Sequence, residues 1–402
     1  MFNNMKFKII LFGFIFTFFS SFGQSFFLGL FNSSIRETLS ISHGQFGSIY
    51  ASATLLSSFI LVWIGKKIDD MNILKFASYV IILLAISCFL FSKISSILFL
   101  FFSIFLMRLS GQGLMSHTAT TTISRYFEET RGKALSATWL GLSSAEFILP
   151  LLIVFLLSII EWRIIWISIS IMVILILPLI SFYLVKNVNL DSRENLIDEE
   201  KKLKEIKQWK RIEVLKDYRF YIVCLNMLAM PWIATGTFVY QSFIASSKGW
   251  GPYVIAQSFM VYSILSVITL LASGFLIDKF TSRKLLIFVN IPLLFSALVL
   301  IFFNNSLTAF IFLGLIGISN GLANVLGSST WAEIYGVKYI GSIKALTTAL
   351  MVFSTAFGTA LFGLLIDRGY SIEQIALVSF VYVLISIILL FFVRNRLNPK
   401  YI

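Results

Sequence analysis

Two ionisable side chains sit where ionisable groups are costly. Among 32 Lys and Arg and 19 Asp and Glu, only Arg108 and Glu146 fall deep inside long apolar runs. A charge at the centre of a bilayer costs roughly 2.5–3.5 kcal/mol on insertion scales, so such a group faces a cavity or a partner. A guanidinium grips a carboxylate as a planar fork, and a buried carboxyl can relay a proton. Arg108 therefore reads as a substrate-binding anchor for an anion, and Glu146 as a proton-coupling acid. At 1.5 Å per helical residue the two reach a similar depth from opposite ends of their runs, so an Arg108–Glu146 pair is expected. A substrate carboxylate would displace Glu146 from Arg108, Glu146 would take a proton, and the loaded site would carry no excess charge. Exchange of two anions at Arg108 needs no proton and is the other mode. A static ion pair that fixes helix contacts is the plainer alternative.

The neighbours of Arg108 extend this site. Gln112 lies one helical turn further on and shares its face. His117 falls nearly opposite and reads as a packing residue, and His43 falls in an outside loop. There is no His-Glu-x-x-His pattern, no Cys/His ligand set and no paired Asp within a span. No catalytic residue, metal or cofactor is therefore expected, and an enzyme is not the expectation. Cys88 and Cys224 both lie in apolar runs, which argues against a disulfide framework.

The elements that must hold these residues follow from composition. The 402 residues are 58% apolar and 13% charged, far below the roughly one quarter charged residues of a soluble domain. About 20 apolar residues cross a bilayer. Such runs occur at 9–31, 45–64, 75–92, 97–122, 134–158, 163–185, 219–244, 253–277, 285–303, 307–330, 345–366 and 374–393. Within lipid every backbone polar group must be satisfied internally, so runs of this length are helices. The expected fold is all-α and integral to the membrane, with twelve transmembrane helices in two pseudo-symmetric six-helix bundles. The bundles are expected over 1–185 and 219–402, joined by a charged cytoplasmic linker over 186–218. Lys6 and Lys8 precede the first apolar run, which continues to about Leu30 with no cleavage pattern and reads as a retained helix.

Basic residues set the orientation. With both termini cytoplasmic, outside loops hold only Arg36, Lys93, Arg163, Lys248 and Arg368 of the 32 Lys and Arg. This suits a multi-pass protein of the cell (inner) membrane. The net charge of +13 lies between apolar runs rather than on one face, so nucleic acid is not an expected partner. The expected partners are a small-molecule substrate, protons and the lipid bilayer, with the chain a monomer.

A weak internal repeat supports two bundles. Gly65, Asp69, Tyr126, Gly132 and Thr138 recur 209 positions later as Gly274, Asp278, Tyr335, Gly341 and Thr347.

Gly65-Lys-Lys-Ile-Asp69 and Gly274-Phe-Leu-Ile-Asp278 resemble the loop signature of the major facilitator superfamily, and Arg108-Leu-Ser-Gly-Gln112-Gly113 resembles its fourth-helix arginine motif. Arg131-Gly132 and Glu161-Trp162-Arg163 fit the same pattern. Asp70 stands where the family usually carries a base, and the later glycine of the signature is missing in both copies. The resemblance implies secondary transport by alternating access. It also implies a cavity lined by the first, fourth, seventh and tenth helices, whose polar positions here are Gln24, Arg108, Gln112, Trp232, Tyr240, Gln241, Asn320 and Asn324. Gating on the inner side would then fall to Asp69 with Arg131, and to Asp278. Trp331-Ala-Glu333-Ile-Tyr335-Gly336 with Gly363-Leu-Leu-Ile-Asp367 resembles the monocarboxylate and oxalate/formate branch, and the Gly-Pro pattern of drug antiporters is absent from the fifth run. The implied cargo is a small organic anion such as a monocarboxylate, moved by symport or antiport. Efflux of amphipathic or cationic compounds is the alternative.

Overall fold

A computed structural model describes residues 4–127, 131–186 and 207–399, without the side chains of Asn4, Arg131, Asp278 and Ser328. Among these residues twelve helices are long and apolar enough to cross a membrane. They are α1 (Met5–Gly23), α2 (His43–Asp69), α3 (Ile73–Ser92), α4 (Ile97–Tyr126), α5 (Gly132–Leu157) and α6 (Trp162–Val185). The remainder are α7 (Tyr218–Val239), α8 (Pro252–Ile277), α9 (Ser282–Phe302), α10 (Leu307–Tyr335), α11 (Ile340–Asp367) and α12 (Ile372–Arg396).

Local chemistry sets several helix starts. Ser42 and Gln45 form a reciprocal capping box at α2, as Ser371 and Gln374 do at α12. Asn72 and Ser96 accept backbone N–H groups at α3 and α4. Each cap satisfies donors that a helix start leaves unpaired. Long apolar side chains point outward, with Phe275 78% and Phe392 74% exposed, as suits a lipid solvent.

Each expected run falls on one of the twelve helices, with three interruptions. The first run, expected continuous over 9–31, breaks at Gln24. The seventh, expected over 219–244, stops at Val239 and resumes at Gln241. The ninth, expected over 285–303, passes through a 3₁₀ turn at Leu286–Phe288 before its α-helix starts at Ile291.

Chain contacts divide the protein into two compact units. The first comprises the chain to Ser192 together with Thr237–Phe243 and Thr359–Asp367. Inside it α1 packs on α4, α5 and α6, and α3 on α6. The second comprises Arg193–Gly236, Ile244–Gly358 and Arg368–Ile402. Inside it α10 lies against α8, and α9 against α10 and α12.

Most of the expected linker, residues 187–206, lies outside the described residues. Its last part is anchored in the second unit. The Trp209 ring lies 5.4 Å from that of Tyr335, and the Trp209 N–H donates to the Tyr335 carbonyl. Arg219, 4% exposed, pairs with Asp217 at 2.7 Å. Its Nη1 also donates to the carbonyls of Arg396 (2.8 Å) and Asn398 (3.1 Å), at the far end of the chain.

Candidate functional site: the break in α1 against α4

Two glycines bring α1 and α4 together. A Cβ on Gly111 would lie 2.7 Å from the Gly23 nitrogen, and one on Gly23 would lie 2.9 Å from the Gly111 Cα. Only hydrogen at both positions allows this approach. Both helices are irregular where they meet. α1 ends in a 3₁₀ turn at Ser21–Gly23, and Gln24 is extended (φ −82°, ψ 153°) before the helix restarts at Ser25. α4 is π-helical over Arg108–Met115. Such single wide turns interrupt an α-helix mostly at functional positions.

The break frees a carbonyl, and Arg108 takes it. The Phe27 N–H goes to Gln24, leaving the Gly23 oxygen to accept from Arg108 Nη1 at 3.1 Å. The same Nη1 reaches Ser25 Oγ at 3.4 Å. Tyr50 donates to Ser25 Oγ at 3.1 Å, and its ring centroid lies 5.4 Å from the Arg108 guanidinium carbon. Arg108 is 3% exposed, and its Nε is buried without a hydrogen-bond partner. Among the described residues no carboxylate pairs with it. The protein thus spends one corner of the guanidinium on orientation and leaves the Nε–Nη2 edge unspent. That edge is a bidentate donor matched to a carboxylate or phosphate.

The expected Arg108–Glu146 pair is not formed. Glu146 is 8% exposed and has no ion-pair partner among the described residues. α5 packs its Thr138–Gly141 stretch on α1. Thr17 of α1 donates to the Thr138 carbonyl of α5 at 2.6 Å, and Gly141 of α5 abuts the Phe14 backbone of α1. The π stretch of α4 meets the break in α1 instead. Equal depth along two helices does not fix which way their side chains face.

The other expected site residues divide. Gln24 and Gln112 lie at the crossing, both half-buried. Gln241 is 1% exposed and donates to the Phe26 carbonyl at 2.8 Å, just past the break. Tyr240 bridges the carbonyls of His43 (2.9 Å) and Thr359 (3.0 Å). The Tyr240 hydroxyl and the Gln241 amide nitrogen are thereby committed to backbone, while the Gln241 Oε1 is buried without a partner. In the second unit Trp232 packs edge-on to Tyr382 at 5.3 Å, and Asn320 donates to Ser266 Oγ at 3.0 Å, tying α10 to α8. Asn324 is exposed. Ser25, Tyr50 and Gly23 escaped the sequence reading, because hydroxyls and glycines are common in membrane helices and none of these sits in a charged motif.

Of the expected gating residues, Asp69 is the one whose side chain is described. Asp69 pairs with Arg125 of α4, whose Nη1 also donates to the Ile68 carbonyl at 3.1 Å. The side chains of Arg131 and Asp278 lie outside the described residues. His117 contacts the Gly65 carbonyl at 3.0 Å, a packing role. In the second unit Glu333 of α10 accepts the backbone N–H of Ser282 at 2.8 Å and of Arg283 at 3.2 Å, capping α9.

The sequence model of the Major Facilitator Superfamily matches residues 13–254 and 221–401, and the chain belongs to that family. No curated protein matches this sequence. Among solved structures, a bacterial homolog to the human lysosomal transporter Spinster, inward-facing and occupied, superposes with a TM-score of 0.72 at 14% identity. That match covers 98% of each chain. The nucleoside transporter NupG superposes with a TM-score of 0.71 at 12% identity, covering 99% of this chain and 100% of its own. At such identity the likeness establishes the fold alone: the twelve-helix major facilitator fold. The protein is a multi-pass secondary transporter, not an enzyme.

Proposed function

We propose that the chain carries a small organic anion, a monocarboxylate in the first instance, by alternating access across the inner membrane. The observation that supports this is the buried Arg108, whose Nε has no hydrogen-bond partner and which has no carboxylate partner among the described residues. A monocarboxylate would supply the missing acceptor and one neutralising charge. The resemblance of the Trp331–Gly336 and Gly363–Asp367 segments to the monocarboxylate branch points the same way. In this reading both termini are cytoplasmic, the chain works as a monomer, and 1–185 and 219–402 are the two bundles, linked by 186–218.

Coupling takes a different form from the partner exchange expected from sequence. Glu146 does not need to be displaced from Arg108, so its proton would be taken up separately.

The test is uptake of labelled monocarboxylates into proteoliposomes with and without an inward proton gradient. Arg108→Ala is expected to abolish uptake. Glu146→Gln is expected to remove gradient stimulation while sparing anion counterflow. Uptake indifferent to Arg108→Ala would defeat the anion assignment. A second reading, efflux of cationic compounds, is favoured by one feature: Glu146 is a buried acid with no ion-pair partner among the described residues. Under that reading Glu146→Gln would abolish transport of a lipophilic cation and Arg108→Ala would not.

A further inference from the structure

The start of α1 and the end of α6 enclose a cavity of about 300 Å³, lined by Met5, Lys8, Phe182, Tyr183, Leu184 and Lys186. Nothing in the proposed transport cycle uses it. Its charged side chains are both cations, Lys8 and Lys186. The Lys8 ammonium lies 4.4 Å from the centre of the Tyr183 ring, and the Lys186 ammonium 4.8 Å from that of Phe182. Neither lysine has an ion-pair partner among the described residues, and α1 places no acidic side chain in its first turn. Two cations are thus held near one another by aromatic faces rather than by carboxylates, and face a single small cavity.

The surroundings are apolar and outward-facing. Tyr183 is 69% exposed, Phe182 50%, Phe7 56% and Leu179 73%. A Tyr and a Phe beside two Lys at a helix end are the side chains that settle at a membrane–water boundary, with lysine stems lying along apolar surface and their heads at the rim. A free anion would use the two ammonium groups and leave this apolar collar idle. A phospholipid would use both.

We propose that this cavity binds the phosphate of an anionic lipid headgroup, with Lys8 and Lys186 on the phosphate oxygens and the acyl chains along the exposed face of α6. Given the orientation proposed above, the lipid belongs to the cytoplasmic leaflet, whose anionic headgroups attract basic side chains at helix ends. It would pin α1 and α6 to that leaflet, at the end of the first unit opposite the break in α1.

The test uses the full chain, purified and stripped of lipid in detergent. Binding is read by native mass spectrometry and by the rise in melting temperature on titration with phosphatidylglycerol, phosphatidylcholine or soluble glycerol phosphate. Phosphatidylglycerol is expected to bind and raise the melting temperature, and phosphatidylcholine to do so far less. Lys8→Gln with Lys186→Gln is expected to weaken phosphatidylglycerol binding about tenfold or more, at roughly 1 kcal/mol per basic residue. Lys93→Gln, at the opposite membrane face, is expected to change nothing. Equal phosphatidylglycerol binding by the double variant would overturn the site, as would equal stabilisation by phosphatidylcholine. Displacement of the lipid by glycerol phosphate at matching concentration would overturn the lipid assignment in favour of a soluble phosphate compound.

Discussion

Arg108 of α4 and Gly317 of α10 occupy matching places in the repeat, 209 positions apart. Around Arg108 the chain is irregular: α4 widens into a π turn and α1 breaks. Around Gly317 it is regular. α10 is α-helical from Leu307 to Tyr335, and a Cβ on Gly317 would run into the Tyr262 backbone of α8. α7, the counterpart of α1, stays helical over Tyr218–Val239 although it contains Pro231. At these matching positions one copy of the duplicated unit carries a buried charged side chain and the other a glycine in close backbone contact. The repeat preserved the helical frame while chemistry was concentrated in one half.

The turns at the helix ends make the same point. Asp69 is fastened by an arginine of α4, side chain to side chain. In the second unit Glu333 of α10 holds backbone N–H groups at the start of α9. The Gly65 carbonyl is covered by His117, whereas a Cβ on Gly274 would meet open space.

The largest expected effect falls on the charged crossing. Arg108→Ala should lower uptake about a hundredfold or more, the scale on which a buried, hydrogen-bonded charge acts. Arg108→Lys should lose most of it too, since an ammonium keeps the charge without the fork. Gly317→Ala should instead lower the melting temperature and leave substrate preference alone. If Arg108→Lys transports normally, the contrast between the halves is one of charge only, not of geometry.

Next come the glycines. Gly111→Ala forces its Cβ onto Gly23 and should cost about 1–3 kcal/mol of stability. Gly274→Ala has room and should stay within about 0.5 kcal/mol of the parent. Thermal unfolding of the two side by side reads the difference directly.

Glu333→Ala removes a carboxylate cap and should cost about 1 kcal/mol. Asp69→Asn should cost less than Glu333→Ala, under about 1 kcal/mol, because that pair is half in solvent. A reversal of this order would mean that the first unit relies on its turn more than the second does.

The sequence carried the frame well, because length and apolarity suffice to specify a helix in lipid. Twelve runs, their order and the place of Arg108 all followed from it. What it missed is angular. Arg108 and Glu146 share a depth, yet helical rise says nothing of which way their side chains face. Arg125 was missed as a partner of Asp69, because it lies in a polar stretch of α4 with no motif to mark it. The break at Gln24 was invisible because Ser-Phe-Gly-Gln-Ser reads as apolar enough to continue a span.

Arg219 gathers the two ends of the second unit at one guanidinium. It holds Asp217, where that unit's helices begin, and the carbonyls of Arg396 and Asn398, where they finish. A chain whose entry and exit are stitched together does not depend on a tether to keep its shape. A nick within 187–206 should therefore leave Arg219 and its partners in place, and the two polypeptides expressed side by side should assemble together.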